Sequence, residues 1–283
     1  MSGHLAARAG RGAGSGVSNL TSRILVGAVG LPLVLGMVWL GGWWLFVLLA
    51  AVGLLALHEY YAMTRALRPI VIAGYLGLVL TLLAAQAGGF AWVAGGLFTT
   101  FALAFVLKGF AETRQSATVA VGGTMLGVAW IGLGLVYVLE LRDLPEHGRL
   151  AAFAVLLAVW AGDTLAFFAG RLVGRHKLAP KISPGKTWEG FVAGTVATVF
   201  VTFVALYDDR HEFLSIGQAV LLGLAIATAA PLGDLFESLL KRDMGVKDSG
   251  RVLAGHGGVL DRIDAQLFAS IAAFYVILAF DKM

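Results

Sequence analysis

Apolar residues in this chain neither alternate with polar ones at the period of a strand nor form the one-sided stripe of a soluble helix. They run almost unbroken for about one bilayer crossing at a time, separated by short polar punctuation. Helices apolar all round are at home in lipid or deep inside a protein, and about 20 such residues cross the hydrocarbon layer. Nine segments are expected: 24–41, 43–58, 70–87, 90–107, 119–141, 150–170, 190–207, 216–238 and 265–280. Several are at the short end for a crossing, and the second is open to being a tilted or re-entrant helix. The predicted fold is an all-α polytopic membrane protein of about nine transmembrane helices, with polar cytoplasmic loops forming the site. No repeat of supersecondary length is visible.

Composition supports that reading: 59% of residues are hydrophobic and only 13% charged, with a mean hydropathy of +0.85. These values exclude an ordinary soluble domain. Cysteine is absent, which excludes disulfides and Cys-ligated zinc or iron–sulfur centres. Residues 1–22 are rich in Gly, Ser, Ala and Arg without apolar periodicity and read as a disordered basic tail. The first apolar run is followed by Gly41-Gly42-Trp43-Trp44 rather than a small-residue cleavage site, so a retained helix is expected and not a signal peptide.

Charge orients the layout. If the N-terminus is cytoplasmic and the nine segments alternate, only Arg142, Arg149, Arg210 and Lys282 fall outside, and every other Lys and Arg falls inside. That asymmetry obeys the positive-inside rule and puts the C-terminus outside. Two inner loops stand out in length and charge, 171–189 and 241–262. The chain therefore divides into the tail, N-terminal transmembrane helices at 23–141, and a C-terminal transmembrane catalytic region at 142–283.

The stretch 238–264, SLLKRDMGVKDSGRVLAGHGGVLDRID, packs bases, carboxylates, a histidine and paired glycines between strongly apolar segments. Charge at a membrane edge is costly and needs a reason. Upstream, Asp234, Glu237 and Ser238 are spaced i, i+3, i+4 and share a helical face, with Lys241 one turn on. Asp234 lies inside the apolar boundary, as a metal ligand, as a cation partner or in an interhelical salt bridge. Asp261 and Asp264 open the last segment. Carboxylates from separate helix ends suit Mg²⁺, which takes few protein ligands and keeps positions for phosphate oxygens; either aspartate alone could equally complement a helix dipole. In Gly255-His256-Gly257-Gly258 the glycines would let backbone amides reach an anion, or simply make a tight turn; His256 is open to being a phosphate donor, the preferred reading, a general acid for the leaving group or an interfacial residue.

A second polar cluster runs from Asp163, inside a span, to Gly190. Ser183-Pro184-Gly185-Lys186-Thr187 looks like a P-loop fragment but is not one, since Pro180 stands where the first glycine is required. Lys186 and Thr187 still precede a helix whose N-terminus favours an anion. Glu189 is expected to cap that helix or to pair with Lys186. Arg171, Arg175, Lys177 and Lys181 can meet anionic headgroups. His58-Glu59 is an edge pair without an assigned role. Boundary tryptophans and tyrosines read as an interfacial belt. No Ser-His-Asp or Cys-His arrangement and no nucleic-acid-binding element is recognisable.

The spaced pattern Ser238-x-Leu240-Lys241-Arg242…Lys247-Asp248-x-Gly250…Leu253…His256-Gly257-Gly258-x-x-Asp261-Arg262-x-Asp264 resembles the signature of the CDP-diacylglycerol synthases, or phosphatidate cytidylyltransferases. Ser183–Gly190 and Asp163-Thr164 resemble the family too; Ala254 departs from it, where a proline or another small turn residue is usual, without removing a chemical group. The resemblance implies that CTP and phosphatidic acid give CDP-diacylglycerol and pyrophosphate at a bacterial inner membrane, by a homodimer. It implies metal held by Asp234 and Asp261 with Asp264, namely Mg²⁺ and a second ion such as K⁺. It also implies phosphate contacts from Lys241, Arg242, Lys247, Arg262 and His256, and Asp248 orienting a base or a metal-bound water. Nucleotide binding would involve Asp163, Ser183, Lys186, Thr187, Gly257 and Gly258. A dolichol-kinase-like phosphotransferase would lack this full spacing. A transporter using Asp163 and Asp234 as ion sites would spread polar residues over two repeat halves.

Overall fold

In the computed structural model, residues 14–111, 116–250 and 257–280 are described, with side chains from residue 27 onward. The chain is a bundle of long helices: α1 Gly14–Leu40, α2 Gly42–Met63, α3 Val71–Gly88 and α4 Val93–Phe110. Then follow α5 Ala117–Arg142, α6 Gly148–Leu172, α7 Trp188–Leu206, α8 Ile216–Asp243 and α9 Leu260–Ala279. Eight of the helical stretches, counting Phe90–Phe110 as one, are long and apolar enough to cross a bilayer; within α1, Gly27–Leu40 is apolar and shorter. These helices match the nine expected segments. The second is a full helix of 22 residues rather than a short re-entrant one. Helical backbone is already present at Gly14, inside the stretch read as a tail; residues 1–13 lie outside the described residues.

α5 is continuous but carries a π-helical turn at Val128–Gly132. The extra residue in that turn packs Trp130 edge-on against both Tyr60 of α2 and Phe236 of α8, at 6.2 and 4.9 Å between ring centroids. One apolar cluster joins Leu57, Leu78, Leu82, Ile131 and Leu139 to Leu260 and Leu267; a second joins Val155, Ala158, Leu222 and Ile226 to Ala269 and Ala273. Helix α9 contributes to both, as do α5 and α6. The first residue of α9, Leu260, is fully buried in the first cluster.

Small residues decide the closest approach, between α6 and α7. A Cβ on Gly190 would sit 2.7 Å from the carbonyl oxygen of Ala166, and one on Gly194 would sit 2.9 Å from that of Gly162. In lipid, where apolar side chains gain little by leaving the solvent, such stripes let backbones pack by dispersion. The Thr198 hydroxyl adds a bond to the Ala158 carbonyl at 3.3 Å.

The loop between α6 and α7 contains a short antiparallel hairpin, β1 Lys177–Ala179 and β2 Ser183–Thr187, pairing Lys177 with Thr187 and Ala179 with Ser183. Sequence gave no strand alternation there. It leans instead on its surroundings, since Arg242 Nε at the end of α8 donates to the Ile182 carbonyl at 3.3 Å. Helix α8 starts on a capping box, with the Gln218 side chain accepting from Ser215 N at 2.9 Å. It continues past the apolar zone to Asp243, so its acidic and basic face stays helical.

Candidate active site

Helices α6, α7, α8 and α9 and the hairpin enclose a cavity of about 1080 Å³. Its walls carry Asp163 and Arg171 from α6 and Lys177, Ser183, Lys186 and Thr187 from the hairpin. Asp234, Glu237 and Lys241 come from α8, and Asp261, Arg262 and Asp264 from α9. Two segments far apart in sequence thus face one space. Pro231 also lines it, and offers no N–H to the helix ladder where α8 passes the cavity.

The face read from i, i+3, i+4 spacing is realised, and its charges are paired across elements. Lys186 Nζ lies 2.6 Å from Asp234 Oδ2, so the hairpin is latched to α8; a cation partner was one of the readings open for Asp234. Ser238 Oγ donates to the other oxygen of Asp234 at 3.3 Å. Lys241 Nζ sits between Glu237 Oε2 at 2.9 Å and Asp261 Oδ1 at 2.7 Å, joining α8 to α9. Glu237 is 1% exposed, and its Oε1 is buried without a hydrogen-bond partner among the described residues. Asp264 is buried too, and accepts from Ala265 N at 2.8 Å.

Asp261 is oriented by the turn that precedes it. Its Oδ2 accepts from Gly258 N at 2.9 Å and from Ser249 N at 3.4 Å. Gly257 has φ +81°, where an L side chain is strained, so the Gly-Gly pair serves a turn before α9. Here the amide of Gly258 holds Asp261.

Some sequence-predicted residues stand away from the cavity wall. Arg242 binds the hairpin backbone, Lys247 and Asp248 are exposed beyond the end of α8, and Gly257 and Gly258 support Asp261 from behind. The hydroxyl of Thr187 accepts from Gly190 N at 3.1 Å and caps α7. Glu189 pairs with His176 at 2.7 Å rather than with Lys186. His256 lies outside the described residues.

Two features escaped the sequence reading. Glu59 of α2 is buried against the turn before α9, although the only signal for it was a carboxylate at the end of an apolar run. Glu237 was placed on the polar face, but its burial could not be seen without α9. Among the described residues, the set of three potential metal ligands already within 4.8 Å of one another is His147, Asp209 and Glu212, in the loops α5–α6 and α7–α8. The carboxylates of the large cavity are instead spread around two lysines.

Residues 21–280 match the model of the cytidylyltransferase family. The chain is 35% identical over 252 residues to the phosphatidate cytidylyltransferase of Staphylococcus haemolyticus, covering 87% of this chain and 94% of that protein. It is 34% identical over 275 residues to that of Bacillus subtilis, covering 93% and 99%. A third relative, from Staphylococcus aureus, is 34% identical over 254 residues, covering 87% and 94%.

Proposed function

The chain belongs to the cytidylyltransferase family, and we propose that it works as its relatives are named, joining CTP to phosphatidic acid with help from a divalent metal. The observation that carries this reading is the cavity's charge. Five carboxylates line it (Asp163, Asp234, Glu237, Asp261, Asp264), balanced by five bases (Arg171, Lys177, Lys186, Lys241, Arg262). A formally neutral lining has no net pull on a nucleoside triphosphate. Divalent cations on the carboxylates would create one, and would free both lysines from their carboxylate partners for phosphate oxygens. The donor set fits Mg²⁺: hard oxygen ligands, including a buried Glu237 oxygen with no hydrogen-bond partner. Asp234, Asp261 and Asp264 would hold it, and a second ion such as K⁺ is part of the same proposal. When bound, Mg²⁺ supplies charge neutralisation at the triphosphate.

A phosphate oxygen of phosphatidic acid attacks the α-phosphorus of CTP. The bond between that phosphorus and the oxygen leading to the β-phosphate breaks, and pyrophosphate leaves. The nucleophile is already an anion, so no side chain need be acylated or deprotonated. The chain's own task is to bring two polyanions together and hold them in line. Lys186 and Ser183 on the hairpin would grip the triphosphate, with Asp163 beside them. Lys241 and Arg262 would face the α- and β-phosphates, with Lys247 and His256 approaching from the following loop and Asp248 orienting a basic neighbour. The lipid would enter sideways from the bilayer, past the apolar outer faces of α6 and α7. Phe167, Phe168 and Phe191 line the cavity there, and Phe167, Phe168, Leu172 and Trp188 are exposed on the apolar exterior.

The reading includes an integral protein of the bacterial inner membrane with a cytoplasmic N-terminus and site, acting as a homodimer. Turnover decides the chemistry. Detergent-purified protein is mixed with phosphatidic acid and α-labelled CTP, with and without Mg²⁺. Label in the lipid phase, matched by pyrophosphate and lost with EDTA, is expected. No transfer from folded protein across several lipids and ions would refute the assignment.

A further inference from the structure

Glu59 is an acid at 2% exposure near the end of an apolar helix, outside the large cavity. A buried carboxylate persists only where partners repay its desolvation. One partner is distant in sequence: Leu260 N, the first amide of α9, donates to Glu59 Oε2 at 2.9 Å. The rest of the carboxylate is pressed against two glycines of the loop before α9. A Cβ on Gly250 would collide with Glu59 Oε1, and one on Gly258 would collide with Glu59 Oε2 and the Ser249 hydroxyl. Glu59 Oε1 and Ser249 Oγ are both buried without a hydrogen-bond partner among the described residues. So the turn before α9 is held from two sides. Asp261 takes its Gly258 and Ser249 amides, and Glu59, from the N-terminal half of the chain, takes the Leu260 amide two residues beyond Gly258.

We propose that Glu59 is a positioning residue for the cytidylyl-transfer site. It fixes the Ser249–Gly250 and Gly258–Leu260 backbone so that the amides aimed at Asp261 keep that carboxylate directed into the cavity. This rests on the reading that Asp261 serves the reaction there. It also explains the glycines at 250 and 258: no larger residue leaves room for the carboxylate. Ser249 presents its hydroxyl to the same packed spot. The N-terminal helices thereby contribute to a site whose walls come from residues 159–264.

The test compares Glu59→Ala and Glu59→Gln in the full chain, by two readouts. Hydrogen–deuterium exchange of a peptide spanning 257–264 is measured first, without substrate. E59A is expected to exchange there at least several-fold faster, while E59Q, whose side-chain carbonyl can still accept from Leu260 N, stays near the unaltered protein. The Mg²⁺ concentration for half-maximal transfer is measured second. Loss of a residue supporting metal ligands commonly costs 10–100-fold in metal affinity or activity. A rise of about that size in E59A, largely restored in E59Q, is expected on the same grounds. Gly258→Ala, which pushes a methyl group at Glu59 from the opposite side, should move both readouts the same way. Unchanged exchange at 257–264 in E59A would overturn the proposal. So would a lowered rate with the Mg²⁺ midpoint unmoved, which is what mere loss of folded protein gives. If the unaltered protein transfers no cytidylyl group, the reaction assignment fails, yet the exchange comparison still decides what Glu59 does.

Discussion

Replacing Lys241 by methionine removes one ammonium and keeps the apolar stem. That ammonium holds Glu237 at 2.9 Å and Asp261 at 2.7 Å, with side-chain exposures of 12% for Lys241, 1% for Glu237 and 16% for Asp261. The Asp261 arm reaches the wet cavity and counts for less; the Glu237 arm is dry. Removing one member of a buried pair costs about 3–5 kcal/mol, because the stranded charge pays its desolvation alone. At roughly 2–4 °C per kcal/mol for a chain of this size, Lys241→Met should lower the thermal midpoint by about 10 °C. If stranded charge is the cause, adding Glu237→Gln should recover most of that loss, since a buried neutral amide needs no counter-ion. Activity should behave otherwise: if Lys241 also contacts phosphate, transfer stays at least ~10²-fold down in both variants, the scale of losing a charge-stabilising donor. Thermal unfolding in detergent, followed by the size-exclusion peak, checks the first part, and labelled CTP the second. A single variant as stable as the parent, or a double variant no better than the single one, would refute the argument.

Asp261→Asn should lower turnover by at least ~10²-fold while leaving an extractable, folded protein; near-parental activity with Mg²⁺ would remove Asp261 from the metal set. Lys186→Gln breaks the 2.6 Å latch to Asp234 at a partly exposed pair, so stability should change by less than about 1 kcal/mol while the KM for CTP rises. An unchanged KM would take Lys186 out of nucleotide binding. Gly194→Ile drives a branched side chain into Gly162 and Ala166, and should cost at least about 1–3 kcal/mol of thermal stability; full stability would mean that α6 and α7 are not in tight contact. The chain has no cysteine, so single cysteines report topology directly. An impermeant thiol reagent should label position 210 from outside and position 177 only in inverted vesicles, and the reverse pattern would invert the proposed orientation.

Much of the fold is legible without coordinates because hydropathy is local. Each apolar run, read alone, already locates a helix, and Asp234, Glu237 and Lys241 share a face simply because an α-helix repeats every 3.6 residues. Asp261 in the first turn of α9 and Asp264 one turn further on share a face for the same reason. The hairpin 177–187 was not legible, since it has no alternation and is steadied by Arg242 from α8. Of the two roles expected for Glu189, pairing with Lys186 is replaced by a pair with His176 for a related reason. Both His176 and Lys186 are within reach along the chain, but the hairpin turns Lys186 towards Asp234.

The sequence by itself determined the helices, their number, the spacing of acids and bases along them, and the family motif, because these depend on neighbours within a few residues. Only the tertiary structure decided which charge meets which. Lys186 reaches Asp234, Lys241 bridges Glu237 to Asp261, and Glu59 reaches across the bundle to the amide of Leu260. Such partners are chosen by how closely helices can approach, through glycines and a π-helical turn, and by the need of each buried charge to find compensation within hydrogen-bond reach.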